Sequence, residues 1–366
     1  MSSTESFTVR EAVPFIGEND PITLNNPYLA SRDLTETDPL HVYHFGLDTD
    51  DLPGEFANVK YVLMGGSAKR AKNLALKIHE EWGYPIHRFE SKPNLKNAVS
   101  DANFGPYRRW IGSKLKQALG VPVEIGSTER YSLYLVGDTM VVNHGMGLGS
   151  ISILLHEVTI LLHAAGAKGV EYFRIGTSGG YGEDAGKVVI ANSATSDKLS
   201  EVNDQAYWPK TVAGKTELWR ADADPNLIDE LEAVADESYT MVARTMAKRS
   251  FYGAEARQDG AVCHLTKEEA EAFFIECRDQ GILNSEMEAG EFYAITRQLG
   301  IRGAVVCVIL DNALKHDTLS MTKEEKKEYS RRAEKVVLDY ILRKSGTSPK
   351  PKDVSWLHRA IKSILI

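Results

Sequence analysis

Short apolar runs alternate with amphipathic stripes along most of the chain. Val59 to Met64 reads as a strand, Gly65-Gly66 breaks it, and Ser67 is placed to cap a helix whose Leu74, Ile78 and Trp82 share one stripe. Tyr131–Val136 and Thr139–Asn143 predict a hairpin turning at Gly137-Asp138. His144 to Gly149 opens a strongly apolar helix that runs to about Ala165. Val170–Ile175 is apolar apart from Arg174; it predicts a strand buried on both faces that runs into a Thr177-Ser178-Gly179-Gly180 turn. Further on come a strand at Lys187–Ala191 and helices over Asn226 to about Arg244, Thr266 to about Gln280 and Glu286 to about Leu299. A buried strand at Gly303–Leu310 and a long charged helix at Thr322–Lys344 complete the pattern, with 193–224 irregular around the anchors Trp208 and Trp219. Alternating strands and helices make one α/β domain with a twisted sheet the simplest architecture.

Three stretches fall outside this pattern. Residues 1–40 lack periodicity and are rich in Ser, Thr, Asn, Asp and Pro, which predicts an extended or partly disordered arm. Residues 87–122 are polar and basic before a Tyr107-Arg108-Arg109-Trp110 cluster, and read as a surface insertion. Residues 346–366 begin with a Gly/Ser/Pro linker; Trp356, Leu357, Ile361 and Leu365 then share a helical face, suited to docking on the same domain or on a twin subunit.

Composition narrows the function classes. No run approaches the length of a membrane span, and residues 1–20 lack a secretion-signal pattern. A formal charge of −8 argues against a nucleic-acid binder that works by bulk electrostatics. Cys263, Cys277 and Cys307 have no metal-ligand spacing and read as reduced thiols, so a cytoplasmic setting is expected.

The candidate chemistry gathers at strand ends, where open α/β sheets bind ligands. Arg174, the hydroxyls of Thr177 and Ser178, and the amides of Gly179 and Gly180 describe a cradle for a dianion such as phosphate. The plainer reading is an arginine paired with a structural carboxylate beside a glycine turn. Gly65-Gly66-Ser67 with Arg70 one turn later is a helix N-terminus suited to an anion, and lacks the Lys-Ser/Thr pair of a P-loop. Gly145-x-Gly147-x-Gly149 does not have the dinucleotide spacing, and close helix–strand packing accounts for it equally well. Ser285 to Glu288 fits a capping box, and its carboxylate could instead take two hydroxyls of a ribose.

Taken in order, Gly65-Gly66-Ser67-x-x-Arg70, Arg174-Ile175-Gly176-Thr177-Ser178-Gly179-Gly180, Phe251-Tyr252 with Arg257, and Glu286-Met287-Glu288 resemble the nucleoside phosphorylase-I family. Tyr43-His44-Phe45 and Val305-Val306-Cys307-Val308 point within it to the eukaryotic uridine phosphorylases. The resemblance runs from about His41 to Arg343 and implies a single α/β domain, with a twisted mixed central sheet flanked by helices. It implies reversible phosphorolysis of uridine to uracil and ribose 1-phosphate in pyrimidine salvage, with inorganic phosphate as co-substrate and no cofactor or metal. Phosphate would be held by Gly66, Arg70, Arg174 and Thr177, and by Arg130 from the other subunit of a homodimer with shared sites. Ribose would meet Met287, Glu288 and a partner's His44; the base would meet Gly179, Phe251, Glu255, Arg257 and Asp311. Arg174, Glu288 and Arg257 would carry the chemistry.

The sequence departs from the uridine pattern at two base positions. Glu255 stands where glutamine is usual, and Asp311 where an apolar residue is usual. A purine or other nucleoside phosphorylase or nucleosidase therefore stays open, as does a catalytically silent nucleoside-binding or scaffold protein. The full arginine set weighs against a hydrolase or a silent relative, because neither needs to hold phosphate.

Overall fold

The computed structural model describes residues 7–82, 124–125, 130–197, 206–315 and 321–346. The expected 87–122 insertion and the segment after Gly346 lie outside the described residues. In chain order the larger elements are β1 (Thr8–Arg10), α1 (Pro27–Ala30), β2 (His41–Val42), β3 (Leu47–Asp48), β4 (Tyr61–Gly65), α2 (Ala68–Trp82), β5 (Glu124–Ile125), β6 (Leu133–Val136) and β7 (Thr139–Asn143). There follow α3 (Leu148–Ala164), β8 (Glu171–Gly180), β9 (Val188–Ser196), β10 (Tyr207–Val212), β11 (Lys215–Arg220), α4 (Pro225–Glu232), β12 (Thr240–Ala247), α5 (Lys267–Asp279), β13 (Ile282–Glu286), α6 (Ala289–Leu299), β14 (Gly303–Asn312) and α7 (Lys323–Ser345).

Nine strands form one mixed sheet in the order β13-β12-β9-β14-β8-β4-β7-β6-β5, and β13 pairs again with β8. The sheet thus curls until Ser285 and Asn284 meet Gly179 and Gly180. Register shifts at Ala243/Arg244 and Ile309/Asp311 supply local bends of the kind bulges produce. The central strands are buried on both faces: Val62, Leu63, Phe173, Val305 and Val306 are all fully buried. Helices α2, α4, α6 and α7 pack on the sheet, and α3 packs on α6. The twisted mixed sheet flanked by helices is the expected fold class.

Several local expectations change. The glycine run after Ile175 is strand, not turn, because β14 runs beside it and β13 pairs with its end. The helix expected to reach Arg244 stops at Glu232. The Asp236 carboxylate accepts from the Ser238 amide at 3.0 Å and hydroxyl at 2.7 Å, an Asx turn, and the β-branched Thr240 and Val242 then pair with β9. The irregular 193–224 stretch contains the β10–β11 hairpin, turned at Ala213-Gly214, both with positive φ. Trp208 is buried there as an anchor. The described part of the arm is extended and packs on the domain: β1 pairs with β11, Ile22 is buried, and the Ile16 amide donates to the Gly300 carbonyl at 2.7 Å.

The capping box expected at Ser285 does not form. Ser285 belongs to β13, and α6 starts only at Ala289. The Glu286 carboxylate serves the helix start instead, accepting from the amides of Glu288 at 2.9 Å and Ala289 at 2.6 Å. A carboxylate at the positive end of a helix gains from the helix dipole as well.

Candidate active site

A cavity of about 380 Å³ opens where β4, β8, β13 and β14 end, a size suited to a small organic ligand. Its wall carries Gly66, Arg70, Arg174, Thr177, Gly179, Phe251, Glu255, Arg257, Met287, Glu288 and Asp311. Each is a residue singled out from the sequence, brought together from five separate stretches. The sheet sets their order. Gly65 on β4 pairs with Ile175, which puts the Gly66 turn beside Gly176 and Thr177. Asp311 on β14 pairs with Gly179, roughly 7 Å further along β8 at the usual strand rise. The cavity therefore has a Gly66–Thr177 end and a Gly179–Asp311 end.

Arg174 is buried at the centre. One terminal nitrogen lies 2.8 Å from Glu286 and also bonds Glu288; the other donates to Cys307 Sγ at 2.9 Å. The pairing foreseen by the plain structural reading is thus present, on a guanidinium that also lines the cavity. Its path requires Gly176: a Cβ there would stand 2.1 Å from the Arg174 terminal nitrogen. Gly147 has φ +82, and its amide donates to Glu288 at 2.5 Å, so the Gly145–Gly149 run orients a carboxylate rather than a dinucleotide.

One cation faces two carboxylates. Burial pushes both acids up, but Arg174 and His144 pull Glu288 down to about 2. Glu286 ends above the usual carboxylate range, through burial first, with Arg174 opposing and Glu288 adding to the rise. Glu288 is thereby the firmly ionised member. Arg174 stays charged, since its two acids outweigh the burial that disfavours its charge.

His144 is a site residue that no sequence motif singles out. It lines the cavity and is buried, and neither ring nitrogen makes a hydrogen bond among the described residues; the same holds for Arg174 Nε. Unpaired buried polar atoms at a cavity wall are expected where a ligand completes them. Burial holds His144 down to about 4, helped by Arg174 and Arg70 and opposed by Glu288, so the ring is neutral at pH 7 with one donor and one acceptor. The available signal was its place at the end of β7, the same strand-end logic that picked out Arg174. Glu286 has no role of its own in the sequence motif, and its cue is that it is a second acid two residues before Glu288.

Two expected residues do not reach this chain's cavity. His44 Nδ1 lies 2.6 Å from Glu157, and Arg130 bonds the Tyr131 hydroxyl at 3.2 Å with its guanidinium 5.4 Å from the Tyr131 ring centre. His44 and Tyr131 rings are 6.1 Å apart, so both residues gather around Tyr131. Arg257 pairs with Asp259 at 2.6 Å and lies 4.8 Å over the half-exposed Phe251 ring. Among the described residues no cluster of His, Cys, Asp or Glu suits a metal, and no helix is long and apolar enough to cross a membrane.

A family model described as the phosphorylase superfamily matches residues 109–342. Uridine phosphorylase 2 of Homo sapiens is 32% identical over 328 residues, covering 89% of this chain and 92% of that protein. The Inactive uridine phosphorylase B of Schistosoma mansoni is 29% identical, covering 87% of this chain and 97% of that one. Among solved structures, the uridine phosphorylase of Schistosoma mansoni in complex with thymidine aligns with a TM-score of 0.72 at 28% identity, over 90% of this chain and 100% of that chain.

Proposed function

The chain belongs to the phosphorylase superfamily, and on that footing we propose that it catalyses the reversible phosphorolysis of uridine to uracil and ribose 1-phosphate, with phosphate as co-substrate and no cofactor. The observation that carries this reading is the buried Arg174 bridging Glu286 and Glu288 in the wall that also bears Gly66, Arg70 and Thr177. Gly66, Arg70, Arg174 and Thr177 hold phosphate in line with the anomeric carbon, which contributes positioning. A phosphate oxygen bonds to C1′ as the C1′–N1 bond breaks, and the electron pair leaves with the base. The ribosyl group is cationic at that moment. Phosphate stabilises it from one face, and ionised Glu288 does so through the ribose hydroxyls. Arg257 stabilises the negative charge that develops on the base.

The active unit is a homodimer with shared sites, in which Arg130 of the partner subunit reaches phosphate and His44 of the partner subunit reaches the ribose. The gathering of His44 and Arg130 around Tyr131, off this chain's cavity, supports it. The domain spans 41–345, after an N-terminal arm and before a C-terminal segment, and the protein works in the cytoplasm.

The test is purified protein with a panel of nucleosides, with and without phosphate, scored for release of each base. Phosphate-dependent uracil release is expected. A second reading, a silent nucleoside-binding protein, draws on the resemblance to an inactive relative; it predicts tight nucleoside binding with no base released under any condition.

A further inference from the structure

The cavity wall carries two further carboxylates, Glu255 and, beside Gly179, Asp311. Ionised carboxylates accept hydrogen bonds and cannot donate. They suit the N–H of a base, yet they oppose a base that leaves as an anion. A buried cation outside the lining adjoins this wall through Glu286. Lys248 follows the last residue of β12, its amide donates to the Glu286 carbonyl at 2.8 Å, and only 1% of it is exposed. Its ammonium lies 5.1 Å from the Tyr181 ring centre and 5.5 Å from that of Phe273. Tyr181 is itself buried and stacks on Phe274.

The acidic groups facing Lys248 are Glu255, which acts on it most strongly, then Cys277, Asp197 and Asp311. Asp197 is already held by Arg249 at 2.9 Å, and burial pushes the Cys277 thiol up to about 12, so it stays neutral. Glu255 and Asp311 also line the cavity, so they are the acids through which the ammonium's charge is felt there. Burial brings Lys248 down to about 8 against these acids, so it is mostly charged at neutral pH. A buried ammonium is costly unless charge or aromatic faces answer it, and both do so here.

We propose that Lys248 is a positioning residue for base selection: from outside the lining it offsets Glu255 and Asp311, so that they accept from a base N–H without repelling the base as it departs. The substrate class that fits is a dioxopyrimidine nucleoside, whose base offers a ring N–H and takes the glycosidic electron pair as an anion. This rests on the phosphorolysis reading above.

The experiment is a double-mutant cycle of Lys248→Met and Glu255→Gln, run with uridine and with a 5-halogenated uridine whose base is the better leaving group. Lys248→Met alone should lower kcat/KM for uridine on the order of 10–100-fold, below a direct oxyanion donor because the charge acts from outside the lining. The loss should be smaller for the halogenated nucleoside, and smaller again in the Glu255→Gln background. Equal losses in both backgrounds, or for both nucleosides, would mean that Lys248 only packs, and the inference fails. If Lys248→Met does not accumulate as folded protein, Lys248→Gln takes its place in the cycle. A parent protein that releases no base in the presence of phosphate overturns the phosphorolysis reading itself, a result distinct from an active parent without coupling.

Discussion

Replacing Arg174 by alanine separates structural pairing from ligand binding. The guanidinium is buried between Glu286, at 2.8 Å, and Glu288. Its removal leaves two buried carboxylates without their cation, although each keeps amide donors: Glu288 and Ala289 for Glu286, Gly147 for Glu288. Breaking a buried ion pair from one side costs about 3–5 kcal/mol. An unfolding entropy of about 2.1 cal/mol/K per residue over the 366 residues gives roughly 0.8 kcal/mol/K, so Tm should fall by about 4–7 °C. The deficit should also depend on pH. In the parent, Glu288 sits at about 2 against an ordinary 4.5, so its contribution is fully present above 4.5 and lost as pH falls through about 2. Without the guanidinium its pKa rises, the folded variant binds more protons, and the deficit narrows as pH is lowered from neutrality. Calorimetry from pH 7 to pH 4 measures this, and phosphate titrations of the initial rate give kcat and KM on the same protein. Total loss of transition-state stabilisation is expected on the order of 2–5 kcal/mol. An unchanged Tm would refute the pairing argument. A lowered Tm with unchanged phosphate KM and kcat would leave Arg174 as structure only.

Three further outcomes are expected. Gly176→Ala drives a Cβ to 2.1 Å from a guanidinium pinned by two acids, so it should cost about 1–3 kcal/mol in urea unfolding and weaken phosphate use; full stability and activity would show that Arg174 has room to move. His144 should stay neutral down to about pH 4 when its ring signals are followed by NMR, and because its pKa lies below the ordinary 6.5, it should draw stability from the fold as pH falls from 6.5 towards 4; a midpoint near 6.5 would mean that its site is wet. Mixing Arg130→Ala with Arg174→Ala protein should restore up to about one quarter of parental activity, since half of randomly formed dimers are hybrid and each hybrid holds one intact site; no recovery under conditions of proven subunit exchange would argue against shared sites.

The local pattern was enough for the elements that announce themselves within a few residues: β4 with its glycine break, Ser67 and α2; the β6–β7 hairpin; α5 and α7 with threonine caps and matching glutamates. Strand-end logic also picked out Arg174, because a guanidinium in an apolar run must be answered by something. What answers it was not legible: Glu286 and Glu288 lie more than a hundred residues away and reach it only because β13 curls back onto β8. The same closure turned an expected glycine turn into strand and moved Ser285 out of a helix cap. His144 and Lys248 show the limit most plainly. Each reads as an ordinary polar residue in its own segment, and its charge state depends on which acids, arginines and rings converge on it after folding. Secondary structure follows from spacing along the chain, whereas electrostatics follow from distances through space and from the exclusion of water, which are properties of the closed sheet as a whole.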